Sequence, residues 1–139
     1  MRAHVWAAVG QFWETPEGRE RLFMERDVLA QEYPGFTVDV HHNGITYATG
    51  IVGPNRSLRA AYRILVALPP NYGDGVMPVA HIVEPDLPAN TPHRFIDGSL
   101  CLDHGEAFTR RSTIVTLLAW VSAWLFHYEE WKETGRVWV

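Results

Sequence analysis

Apolar residues recur at two different periods along this chain, and the changes between them divide it into helix, sheet, irregular loop and helix. Trp6, Val9 and Trp13 stand at helical spacing, and the pattern then restarts. Thr15 suits an N-cap, Pro16 the first helical position and Glu17 the positive end of the helix dipole. A helix is expected to run to about Glu32 with Leu22, Phe23, Leu29, Ala30 and Tyr33 as its apolar stripe. Arg19, Glu20, Glu25 and Asp27 fall outside that stripe, and Pro34-Gly35 ends the helix.

The period then drops to two. Phe36, Val38, Val40 and His42 alternate with Thr37, Asp39 and His41, and Asn43-Gly44 is the pair favoured in a two-residue type I′ hairpin, where both positions need positive φ. Such a turn predicts His42 opposite Ile45, Val40 opposite Tyr47, Val38 opposite Thr49 and Phe36 opposite Ile51, with the large apolar groups on one face. Gly53-Pro54-Asn55 marks a second turn. Ala60 to Leu68 reads as a third strand with Tyr62, Ile64, Val66 and Leu68 on one side, and Pro78 to Val83 as a fourth. The stretch between them, Pro69 to Pro78, is too rich in proline and glycine for regular structure. The sum is an antiparallel meander of four strands.

From Glu84 to Gly105 no period survives, and prolines stand at Pro85, Pro88 and Pro92. A last helix is expected from Thr109 or Ser112, with Ile114, Leu118, Val121, Leu125 and Tyr128 as one stripe and Trp120, Trp124, His127 and Trp131 as another. A helix so widely apolar must be covered on more than one side, and Gly135 marks its end. The expected fold class is α+β, a single domain over residues 1–139.

Composition narrows the function by exclusion. A formal charge of −4 gives no electrostatic reason to expect nucleic acid. The longest uncharged apolar run, Ile114 to Phe126, falls short of the ~20 residues a bilayer span requires, and the first residues show no secretion signal. A soluble cytoplasmic protein without a membrane partner is expected. Six tryptophans supply large buried area or interface.

Cys101 is the only cysteine, so it cannot serve an internal disulfide. It lies eight residues after His93 in a proline-led loop, where it can be open to a large partner or be a buried structural thiol. His93 can act as its base in a cysteine hydrolase, although that chemistry also needs an orienting third group and usually a thiol at a helix N-terminus. Alternatively His93 can donate to the oxyanion formed when an amine attacks a thioester, or simply pin the loop. Cys101, His104 and His93 offer at most three metal ligands with no second Cys-x-x-Cys half, and neither metal nor cofactor is expected. His41 and His42 adjoin on a strand and point to opposite faces. Gly73-Asp74-Gly75 lacks the lysine and helix of a phosphate loop. Arg110 and Arg111 form a solvated pair whose place before a helix invites an acidic neighbour.

Helix, four-stranded meander, irregular cysteine loop and long C-terminal helix, in that order, resemble the ubiquitin-conjugating enzyme fold. The loop motifs agree: Thr91-Pro92-His93, Asp97-Gly98 and Cys101-Leu102-Asp103 stand where that family commonly carries His-Pro-Asn, Asp-Gly and Cys-Leu-Asp. Tyr62, Pro69-Pro70, Tyr72 and Pro78 look like its upstream segments, and Phe108 lies about where many members place a tryptophan. Two departures stand out: His93 takes the asparagine position and Thr91 the histidine. Trp124 to Trp131, then Thr134-Gly135 and Trp138, look like the bacterial branch tied to cyclic-oligonucleotide-based antiphage signalling (CBASS).

The resemblance implies acyl transfer. Cys101 would accept the C-terminal carboxyl of a partner, a nucleotidyltransferase related to cyclic GMP-AMP synthase, as a thioester and pass it to an amine. His93 would contact the oxyanion, Pro92 would fix the loop path, and Asp97-Gly98 would form the turn that presents the thiol. Asp103 and His104 are further candidates for orienting or deprotonating the amine. Any activating enzyme would be a separate chain. Two alternatives remain open on the residues: a catalytically silent binding module with Trp6, Trp13 or Trp138 in its interface, and a hydrolase built on Cys101 and His93.

Overall fold

Thr15 accepts a hydrogen bond from the Gly18 amide at 3.0 Å through its side chain, and with Pro16 in the first turn this starts helix α1, Pro16–Glu32. The computed structural model of the chain describes residues 12–41, 45–102 and 107–138; Trp6, Val9 and the Asn43-Gly44 pair lie outside them. After α1 come β1 (Thr37–Val40), β2 (Thr46–Val52), β3 (Tyr62–Leu68), β4 (Val79–Glu84) and helix α2 (Ile114–Thr134). The sheet is four-stranded and antiparallel in the order β1-β2-β3-β4, the expected meander.

The hairpin register differs from expectation by one residue. Val38 pairs with Ala48 and Val40 with Thr46, and the His41 amide donates to the Ile45 carbonyl, so three residues separate the paired positions rather than two. Because side chains alternate, that single step turns every β2 residue over. Ala48, Gly50 and Val52 join Phe36 and Val38 on the core face, while Tyr47 and Ile45 pack on the other face with Ala67. Gly50 explains the choice: a Cβ there would lie 2.5 Å from the Phe36 ring, so among the described strands the one position without a side chain receives the large aromatic.

Across the core face lies α2. Ile114, Leu117, Leu118, Val121, Trp124, Leu125 and Tyr128 are buried, each worth roughly 1.5–3 kcal/mol of burial against Tyr62, Ile64, Val66 and Leu68. Thr113 caps α2 in a reciprocal box with Thr116, and Gly135 ends it with φ 69°. Of the second expected stripe, Trp124 is buried, Trp120 and Trp131 are half-buried and His127 is exposed.

Helix α1 departs from its expected stripe. Phe23 is 65% exposed, whereas Glu25, expected outside, is wholly buried. Three donors reach the Glu25 carboxylate: Arg21 Nε at 2.9 Å, the Tyr72 hydroxyl at 2.6 Å and the Ile114 amide at 2.9 Å. A charge so satisfied can leave water, and it also provides the acidic neighbour invited by the start of α2. Arg110 and Arg111 are exposed and contribute a main-chain carbonyl, that of Arg110, which accepts from Arg21. Burial, and then the Glu25 charge, pushes the Tyr72 hydroxyl well above its ordinary 10.0. Gly73-Asp74-Gly75 forms a 3-10 turn, Tyr72–Asp74, closed by Gly75 at φ 86°.

Candidate functional site

Between β4 and α2 the chain makes a small hairpin that carries the thiol. Pro88 anchors its entry: its carbonyl accepts from the Thr91 amide (3.0 Å), the Thr91 hydroxyl (2.6 Å) and Arg94 Nη2 (2.9 Å). Thr91, in the family's histidine position, is thus a buried loop fastener. Pro92 follows half-buried, its ring fixing φ. Arg94 and Leu100 then pair across an isolated antiparallel bridge.

The tip spans Phe95 to Ser99. Gly98, at φ 86°, donates its amide to the Phe95 carbonyl, and Asp97 Oδ1 accepts from the amide (3.0 Å) and hydroxyl (2.6 Å) of Ser99. A turn of this kind needs a residue tolerant of the left-handed region, which glycine supplies, and a short acceptor to close it, which Asp97 supplies. Asp97-Gly98 therefore forms a turn, as the resemblance implies.

The returning arm docks on the sheet. The Leu100 amide donates to the Ala80 carbonyl on the free edge of β4, and Leu100 and Leu102 are buried. Cys101 between them is partly exposed. Its amide donates to the His93 carbonyl at 2.9 Å, so positions 93 and 101 face each other across the hairpin.

His93 is held from three sides. Its carbonyl also accepts from Trp124 Nε1 of α2 at 3.0 Å, and its ring Nε2 lies 2.7 Å from the Trp138 carbonyl. The Trp138 ring packs 4.9 Å from the imidazole and 4.8 Å from Trp124, brought back by the turn at Gly135. Among the described residues His93 is the only non-glycine with positive φ, 59°. Such backbone is costly for a side-chain-bearing residue and persists where its surroundings fix it.

A carbonyl oxygen can only accept, so Nε2 carries a hydrogen and directs it at Trp138. Trp124 and Trp138 were legible as family-like aromatics and not as holders of His93, because the contact needs a reversal of the chain after Gly135. Trp13, a candidate interface residue, is instead buried against Tyr72 at 5.7 Å. Phe108, in the tryptophan position, is buried between Tyr72 and Trp120. Asp103 and His104 lie outside the described residues, and with them the third of the possible metal ligands.

A model of the Type II CBASS E2 protein family matches residues 25–139. The chain belongs to this family. No curated protein matches it. Among solved structures, a complex of the Vps23 UEV with ubiquitin is similar over 86% of this chain and 86% of that one, with a TM-score of 0.52 and 14% sequence identity. At that identity the likeness speaks for the fold, which is that of ubiquitin-conjugating enzymes. Family and fold together make this a CBASS E2-like protein of antiphage defence, and among the described residues no helix is long and apolar enough to cross a membrane.

Proposed function

We propose that this CBASS E2-like protein, acting as one domain in the bacterial cytoplasm, carries the C-terminus of a partner protein as a thioester on Cys101 and transfers it to an amine. The partner is a nucleotidyltransferase related to cyclic GMP-AMP synthase, and a separate chain activates its carboxyl where activation is needed. The observation that carries this reading is the placement of Cys101, partly exposed between two buried leucines and tied by its amide to His93. A thiol so displayed can meet a peptide tail while its backbone stays fixed.

The thiolate attacks the activated carbonyl carbon, the activating group leaves, and the acyl group remains reactive toward an amine without further ATP. Pro92 and the Asp97-Gly98 turn hold the hairpin that presents the sulfur, His93 is the residue whose carbonyl takes the Cys101 amide, and Asp103 and His104 are the further candidates for orienting or deprotonating the amine. Neither metal nor cofactor enters the reaction.

Mixing the protein with the neighbouring operon products tests the reading. A covalent adduct with the nucleotidyltransferase, cleaved by thiols and absent in Cys101→Ala, is expected. An adduct that persists in Cys101→Ala refutes the nucleophile, and full phage protection by Cys101→Ser would establish the silent binding module instead.

A further inference from the structure

We infer that Trp138 is a positioning residue that locks His93 in one tautomer, and that His93 consequently serves the transfer as a general base through Nδ1 rather than as an oxyanion donor. The inference rests on the thioester reading for its chemistry, but its geometric half stands on the hydrogen bond alone. With Nε2–H held by the Trp138 carbonyl at 2.7 Å, the neutral imidazole has no second N–H. Nδ1, bonded to Cγ at the main-chain end of the ring, keeps a bare lone pair. That end belongs to the residue whose carbonyl takes the Cys101 amide, so the basic nitrogen and the sulfur start from facing positions of one hairpin.

The aromatic packing maintains the lock. Trp138 sits against both His93 and Trp124, while Trp124 Nε1 holds the His93 carbonyl, so ring and backbone of His93 are fixed by the same pair of tryptophans. The left-handed backbone at 59° fits this account, since such backbone persists where the surroundings fix it.

In the step itself a neutral amine adds to the thioester carbon and a C–N bond forms. The nitrogen's extra proton passes to Nδ1, giving an imidazolium whose Nε2–H bond to the Trp138 carbonyl is strengthened by the charge. The C–S bond breaks with its electron pair going to Cys101 Sγ, and the imidazolium proton is released to that thiolate or to water. Atoms and charge balance without a further reagent.

The test uses the full chain. NMR of protein labelled with 15N-histidine, with His93 identified by the signals missing in His93→Asn, is expected to show Nε2 protonated and Nδ1 bare. A short peptide thioester with a C-terminal glycine then loads Cys101, and intact-mass spectrometry follows discharge to free lysine. His93→Asn keeps the left-handed backbone, which asparagine tolerates, and keeps an N–H donor while removing the base. It should load normally and discharge at least about 100-fold more slowly. Trp138→Ala should mix the tautomers and slow discharge, and Trp138→Phe should restore both, which a purely structural role would not produce. A protonated Nδ1 in the wild type, or His93→Asn discharging as fast as wild type, overturns the inference alone. Failure of Cys101 to load with any variant or with wild type overturns the thioester reading, and the base role with it.

Discussion

Helix α2 is fastened to the rest of the protein by polar contacts at its start and at its middle, and the two fastenings are built on opposite plans. At its start, Glu25 is sealed from water and receives Arg21, Tyr72 and the Ile114 amide, with Arg21 continuing to the carbonyls of Arg110 and Ser112. At its middle, Trp124, and beyond its last turn, the Trp138 carbonyl, hold a half-buried His93 in a left-handed conformation, and the His93 carbonyl takes the amide of the partly exposed Cys101. The first arrangement closes a charge network with nothing left to react. The second keeps a nucleophile and a titratable ring near solvent and fixes them through backbone and aromatic contacts. The start of the helix closes a charge network, and its middle holds the hairpin that carries the thiol.

Substitutions can break that contrast. The largest loss of stability is expected from Glu25→Ala, which leaves Arg21 in a half-emptied network and should cost roughly 3–5 kcal/mol in chemical denaturation, without altering the chemistry of whatever fraction stays folded. Next, Gly50→Ala should cost about 1–3 kcal/mol, because its methyl meets the Phe36 ring at 2.5 Å; a smaller loss would mean that the sheet register is free to shift.

Tyr72→Phe removes one donor from the buried carboxylate and should cost about 1–3 kcal/mol. The same tyrosine sets an alkaline limit. Its folded pKa lies above the ordinary 10.0, so the neutral form is favoured in the native state and its contribution is complete below that value. Above it the unfolded chain ionises first, so stability should fall as pH rises through the interval, and Tyr72→Phe should flatten that fall. A melting curve at several alkaline pH values decides the point.

In the thiol hairpin the effects on stability should be small. Gly98→Ala forces a side chain into φ 86° and should cost about 1–2 kcal/mol, with slower acylation of Cys101 because the presenting turn is distorted. Cys101→Ser should change stability by less than about 1 kcal/mol while abolishing thiol-labile adducts, the sharpest separation of the two fastenings. A large thermal shift in Cys101→Ser would show that the thiol is a packing residue and that the contrast is false.

The hydrophobic periods and the capping residues were enough to read the element order, both long helices, the meander and the irregular loop that holds Cys101. These are local signals, decided within a few residues of chain by backbone geometry and alternation. Tertiary structure alone decided what depends on distant partners. Glu25 looked like a solvent-facing residue because its burial requires donors from Tyr72 and Ile114, 47 and 89 residues away. The β1–β2 register depended on where the Phe36 ring finds room over Gly50. The state of His93 depended on a carbonyl 45 residues downstream, brought back by the turn at Gly135. A proton's place on an imidazole is set by whichever acceptor the folded chain delivers, and no local pattern around His93 could name it.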